Sequence, residues 1–100
     1  MPSDKVIGRV MTDLRLAPLY ENLLRATGRI IIDQLHKRLE HVQKFRVVRK
    51  AFEKRRKVHI EEFQRCRNTF LQACGEEGVE IPSRDVSIES LRLFLVRQLK

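Results

Sequence analysis

The stretch at residues 43–58 (QKFRVVRKAFEKRRKV) restricts what this chain can fold into more than any other. It carries eight lysine and arginine residues and a single acid, Glu53. Its apolar residues Phe45, Val48 and Phe52 are three and four positions apart, a spacing that places side chains on one face of an α-helix. The stretch therefore predicts an amphipathic helix with one apolar face and a strongly basic remainder.

The positive charge of the chain is concentrated in its middle. Residues 29–70 hold thirteen basic and five acidic side chains, a net charge of +8, whereas the rest of the chain holds eight of each. A block of this kind favours an acidic protein surface or a phosphate backbone as its partner. The alternative is a solvated helix whose charges serve only solubility.

The apolar residues around this block follow two heptad-like frames. The first frame consists of Ile32, Leu35, Leu39 and Val42. The second consists of Phe52, His59, Phe63, Cys66, Phe70 and Ala73. The two frames differ by three residues, which either overwinds a coiled coil locally or marks a change of packing partner. Because each frame is short, a globular or hairpin arrangement is favoured over a long coiled coil.

We therefore predict an all-α protein of three to four helices, with one long central helix at about residues 30–74 and a short C-terminal helix at about 88–99. The predicted parts are a short N-terminal helix in 1–17, a basic helical hairpin or long helix in 18–75, and a linker with the last helix in 76–100.

Local signals give the predicted ends of these elements. The first helix should span residues 4–16 and end before Pro18, since a residue preceding proline avoids helical geometry. Gly28 interrupts an otherwise apolar row, Leu19, Leu23, Ala26 and Ile30, and predicts a bend or a close approach of another helix rather than a stop.

The C-terminal third contains two further signals. Gly75 is predicted to cap the long helix in left-handed geometry. Ser87 is predicted to cap the last helix, which would bury Ile88, Leu91, Leu95 and Leu99. Val79 and Ile81, between the two helices, are expected to pack back onto the core.

No catalytic constellation is recognisable, so we expect a protein that is not an enzyme and needs no metal or cofactor. His36 and His41 do not share a helix face, and His59 falls in an apolar row as a partly buried neutral histidine. Cys66 and Cys74 are expected to be free thiols in a reducing, intracellular compartment. No apolar run approaches the length of about 20 residues that a transmembrane helix needs.

The basic stretch is the candidate binding site. Its candidate partner-binding residues are Arg46, Arg49, Lys50, Lys54, Arg56 and Lys57. One hypothesis is an accessory subunit or adaptor that docks on an acidic protein within a multi-subunit complex, with helix–helix association through its apolar rows. The alternative is a backbone-directed RNA-binding subunit of a ribonucleoprotein such as a ribosome.

A family resemblance sharpens the first hypothesis. Leu19 and Tyr20, followed by Leu23, Leu24 and Arg25 and then by the segment RKAF at residues 49–52, resemble the motif of the LYR-motif proteins. Members of that family are small, basic, three-helix proteins of mitochondria that act as accessory subunits or assembly factors. Glu21 stands here where that motif has its arginine.

The resemblance implies a partner, a location and site residues. The partner would be acyl carrier protein, whose acidic helix meets basic residues of the family, and the location would be mitochondrial. Arg25, Arg49 and Lys50 would belong to the acid-binding surface. Leu19 and Tyr20 would begin the motif, and Phe52 would be its downstream phenylalanine.

Overall fold

The computed structural model describes residues 4–40 and 46–98, with side chains for residues 4–35 and 53–98. It contains helices α1 (Asp4–Thr12), α2 (Leu16–Glu40), α3 (Arg46–Glu76) and α4 (Ile88–Gln98), and a 3-10 turn at Ser83–Val86 precedes α4. These two ranges contain no β-strand. The prediction of an all-α fold with one long helix and a short C-terminal helix is confirmed.

Helices α2 and α3 form an antiparallel hairpin, and their interface is the largest in the molecule. Three cross-helix pairs set the register: Tyr20 with Phe70, Arg29 with Glu62, and Asp33 with His59. As residue numbers rise along α2, they fall along α3. The long helix accordingly begins at Arg46 and not near residue 30, because Ile30 belongs to the core row of α2.

The buried row of α2 has helical spacing and ends on a charged residue. It consists of Leu16, Tyr20, Leu23, Ala26, Thr27, Ile30 and Asp33. Ile32 and Leu35, which the first heptad frame placed in the core, are each 52 % exposed. The described half of that frame is wrong because Ile32 is two positions beyond Ile30, and a step of two in an α-helix turns a side chain to the opposite face. The side chains of Leu39 and Val42, its other two members, lie outside the described residues.

The second heptad frame fits better. Phe63, Phe70 and Ala73 are buried on the α2-facing side of α3, and His59 and Cys66 in the same row are half-buried. The side chain of Phe52, the first member of that frame, lies outside the described residues.

The first helix is shorter than predicted, since α1 ends at Thr12 and not at residue 16. The carboxylate of Asp13 accepts hydrogen bonds from the backbone N–H groups of Arg15 (2.8 Å) and Leu16 (3.1 Å). A side chain that satisfies the free amides at the start of α2 in this way acts as its N-cap. Pro18 then lies in the first turn of α2, where its missing N–H costs no hydrogen bond.

The roles predicted for two glycines differ in outcome. α2 continues through Gly28, as predicted, but a Cβ atom there would meet nothing within 4 Å, so no described helix approaches closely at that point. At the end of α3 the left-handed residue is Gly78 (φ 70°) and not Gly75. The amide of Val79 donates to the carbonyl of Cys74 (2.8 Å) and that of Gly78 to Gly75 (3.2 Å), the two bonds of a Schellman cap.

The C-terminal segment packs against the end of the hairpin that contains Tyr20 and Phe70, which we call the base. Val79 is buried and Ile81 is half-buried against the core, as predicted. The hydroxyl of Ser87 accepts a hydrogen bond from the backbone N–H of Ser90 (3.2 Å), which confirms Ser87 as the cap of α4. Helix α4 buries Leu91 and packs against α2; the predicted Leu99 lies outside the described residues.

Candidate partner-binding site

The basic first half of α3 lies at the open end of the hairpin. Beyond the Asp33–His59 pair, side chains are described for residues 34–35 of α2 and 53–58 of α3, and none of them is buried. We call these residues, together with the exposed Ile32 beside them, the hairpin tip. The tip is a pair of helices without a third layer of described structure, so its side chains face solvent on most sides.

Four consecutive cationic residues lie on the tip. Lys54, Arg55 and Lys57 are exposed and Arg56 is half-buried. Three of the other predicted site residues, Arg46, Arg49 and Lys50, lie in α3, but their side chains, like that of Phe52, are outside the described part of the chain. The tip thus contains the described half of the predicted basic surface.

Internal carboxylates neutralise only part of this charge. The Nε atom of Arg55 lies 3.6 Å from Oδ1 of Asp33. Lys54, Arg56 and Lys57 form no ion pair with any carboxylate among the described side chains. Their charge therefore remains directed at solvent or at a partner.

Exposed aliphatic side chains accompany these cations. Ile32 and Leu35 on α2 are each 52 % exposed, and Val58 on α3 is 54 % exposed. The register set by Asp33 and His59 places the three at the same level of the hairpin. Sequence reasoning missed this surface because it assigned Ile32 and Leu35 to the core.

A buried carboxylate forms the inner boundary of the tip. The side chain of Asp33 is 4 % exposed, and its Oδ2 atom lies 2.5 Å from Nδ1 of the half-buried His59. With Arg55 near the other oxygen, both carboxylate oxygens of Asp33 face a basic group. The signal in the sequence was an acid three positions after Ile30, where the helical row requires a buried residue.

Arg25 lies apart from the other predicted site residues. It forms an exposed ion pair with Glu21, four positions earlier (3.0 Å). By the hairpin register Arg25 lies opposite about residue 66, roughly 14 Å along the axis from Lys57 at about 1.5 Å per residue. The structure therefore does not bring Arg25 together with the basic cluster of the tip.

The two residues that begin the LYR-like motif lie in the base of the hairpin. Tyr20 is 2 % exposed, and its ring centroid is 5.2 Å from that of Phe70 and 6.0 Å from that of Phe94. Burial raises the pKa of Tyr20 to about 12. Leu19 is half-buried against the same core. Both residues pack as core residues at the opposite end of the hairpin from Phe52.

The described residues contain no group of three or more His, Cys, Asp or Glu side chains that could hold a metal ion. None of their helices is long and apolar enough to cross a membrane. Cys66 and Cys74 are free thiols, and Cys74 is buried.

Comparisons with protein-family models, with curated proteins and with solved structures found no match to this chain.

Proposed function

We propose that this protein is a non-catalytic helical adaptor that docks the tip of its α2–α3 hairpin on an acidic protein partner. One observation carries the proposal: exposed cations and exposed aliphatic side chains occur together on a part of the hairpin that α1 and α4 leave open. Lys54 and Lys57 supply charge, and Ile32, Leu35 and Val58 supply apolar surface.

The two kinds of side chain would contribute differently to binding. Fully burying a Val, Leu or Ile side chain contributes about 1.5–3 kcal/mol, so covering the exposed half of each of the three would contribute about 1 kcal/mol apiece. The lysines would mainly orient an acidic partner and increase its rate of association. The interface would extend along α3 onto the predicted residues Arg46, Arg49 and Lys50.

RNA is the second candidate partner, because a basic helix can bind along phosphates without reading bases. Two observations favour protein over RNA. Phosphate contacts leave Ile32, Leu35 and Val58 unused, whereas a protein interface buries them. Phe63 and Phe70 are buried in the core and are not available for base stacking.

Within this proposal, the resemblance to LYR-motif proteins makes acyl carrier protein the first acidic partner to test and mitochondria the first location to examine. Glu21, at the position of the motif arginine, forms an ion pair with Arg25 in the structure. The partner surface proposed here does not depend on either residue, since both lie at the base of the hairpin.

The experiment compares binding to purified acyl carrier protein with binding to a single-stranded RNA oligonucleotide. The double substitution Leu35→Ser and Val58→Ser removes apolar surface without changing charge. It should weaken protein binding about tenfold and leave RNA binding within twofold. Val96→Ser on α4, also at an exposed position, is the matched control and should change neither.

Charge reversal and salt complete the test. Lys54→Glu with Lys57→Glu should weaken either mode, and Arg92→Glu on the exposed face of α4 is its control. RNA binding would fall steeply with salt, because each phosphate contact releases counterions. The adaptor proposal is wrong if two results occur together. The serine double variant binds every tested acidic protein as tightly as the parent does, and nuclease treatment removes the molecules that co-purify with the native protein. The RNA alternative then replaces it.

A further inference from the structure

A groove at the base of the molecule lies between α1, α2 and α4, at the opposite end of the hairpin from the tip. Its volume is about 540 Å³. The side chains of Ile7, Met11, Tyr20, Leu24, Phe94 and Leu95 make its lining mainly apolar. The polar lining residues are Asp4 and Gln98, so none of the described lining residues is cationic. Both the size and the apolar lining are typical of small-molecule sites.

A residue that lines the groove carries a hydroxyl group without a partner among the described residues. The hydroxyl of Tyr20 is buried and makes no hydrogen bond with any group in the described structure. Buried tyrosine hydroxyls normally find a partner, because a buried donor without one destabilises the fold. The Tyr20 ring lines the groove, so a molecule bound there lies next to the residue whose hydroxyl lacks an acceptor.

The wall formed by α1 is the most easily displaced. Helix α1 has nine residues, of which only Val10 is buried. Its Arg9 side chain donates to the backbone carbonyl of Glu77 (3.1 Å), an exposed contact. A helix this short has little stability of its own. An outward shift of α1, which lines the groove together with Tyr20, would therefore widen the groove next to this residue at a low cost in free energy.

We propose that this groove binds a small, uncharged, mainly apolar molecule that carries one hydrogen-bond acceptor. The Tyr20 hydroxyl would donate a hydrogen bond to that acceptor. The apolar lining selects an apolar body, and the absence of a cationic lining residue disfavours an anionic head group. The hydroxyl then selects molecules with a carbonyl or ether oxygen over pure hydrocarbons. This site is separate from the hairpin tip and does not depend on the proposed acidic partner.

The test uses two probes of similar shape, acetophenone and cumene, which differ in whether a carbonyl oxygen is present. Binding to the full chain is measured by NMR shifts of the Ile7 and Leu24 methyl groups. Acetophenone should bind more tightly than cumene. Tyr20→Phe should weaken the binding of acetophenone about fivefold, the effect of losing one neutral hydrogen bond. It should leave the affinity for cumene within twofold of the parent.

A groove-filling variant keeps the test independent of Tyr20. Gly8 lines the groove, and a Cβ atom there meets nothing within 4 Å, so Gly8→Phe should fold and block both probes. Gly28→Phe, at an equally open helix position outside the groove, is the matched control and should block neither.

Three results would overturn the proposal. The first is that neither probe shifts the groove methyl groups. The second is that Gly8→Phe leaves binding intact, which places the probes elsewhere. The third is that Tyr20→Phe affects the two probes equally, in which case the groove takes a purely apolar group, such as a partner side chain, without using the hydroxyl.

Discussion

His59 Nδ1 lies 2.5 Å from Oδ2 of Asp33, across the interface between α2 and α3. The pair is at the point where the hairpin changes from an apolar core to a solvent-facing tip. Because the Asp33 side chain is 4 % exposed, its charge depends on His59 and Arg55 for stabilisation. This contact therefore joins the two helices at the outermost level at which a described side chain is buried.

We predict that Asp33→Asn destabilises the protein by about 1–3 kcal/mol, the usual effect of weakening a buried hydrogen bond to a charged group. The measurement is the midpoint of urea unfolding followed by circular dichroism. Glu21→Gln removes an exposed ion pair and is the control, with an expected change below about 1 kcal/mol. Equal effects of the two substitutions would show that the Asp33–His59 contact adds nothing beyond a surface pair.

Tyr20 gives a prediction about alkaline pH. Burial raises its pKa from 10 to about 12, so the folded state holds the phenolic proton where the unfolded chain has released it. The stabilisation is fully present below pH 10 and is lost as the pH rises towards about 12. Tyr20 is the one tyrosine in a chain without tryptophan, so absorbance at 295 nm reports it alone.

The expected titration midpoint in the native protein is therefore about 12, and it should fall towards 10 in denaturant. Tyr20→Phe should lose less stability than the parent between these pH values, because it has no proton to release. A native midpoint near 10 would show that solvent reaches the hydroxyl freely.

Two glycines three positions apart give opposite predictions. Gly78 has φ 70°, so Gly78→Ala should destabilise the protein by about 1–2 kcal/mol. Gly75 lies within α3, with open space where a Cβ would be, so Gly75→Ala should stabilise by up to about 1 kcal/mol. Thermal unfolding of both variants checks the assignment, and a reversed order would return the cap to Gly75.

The sequence was sufficient to predict an all-α fold, the short C-terminal helix and its Ser87 cap, because these follow from local spacing and side-chain chemistry. It did not separate α2 from α3, and so began the long helix near residue 30 instead of at Arg46. It was not sufficient to choose between Gly75 and Gly78, since both are compatible with a helix end and only the Val79–Cys74 hydrogen bond distinguishes them. It also placed α1 four residues too long, because the capping role of Asp13 was not recognised.

The candidate site was partly predictable for a related reason. Charge density identified the basic stretch without any knowledge of packing. The exposed Ile32 and Leu35 could not be found, because an apolar residue on a helix does not indicate which face has a neighbour. Asp33 shows the converse, since a charged residue occupies a buried position that only its pairing with His59 makes tolerable.

The two cysteines should differ in reactivity towards a thiol reagent such as DTNB. Cys74 is buried, and burial, together with the negative charge of Asp13, raises the pKa of its thiol and so disfavours the reactive thiolate. Cys66 is half-buried and should react first in the native protein. Cys66→Ser should remove the fast phase, and denaturant should make both thiols of the parent react. A fast phase that persists in Cys66→Ser would contradict this order.

Every buried described residue of the hairpin lies either at the level of the Asp33–His59 pair or between that pair and the base. This distribution has a consequence for the dynamics of the hairpin. The base must open as a whole, whereas residues 53–58 can separate from α2 without disturbing it. Amide protons at 53–58 should therefore exchange with deuterium through local fluctuations, and those at 63–74 only through global unfolding. A partner seated on residues 53–58 would slow exchange there first, so the binding surface would gain order at the moment of recognition.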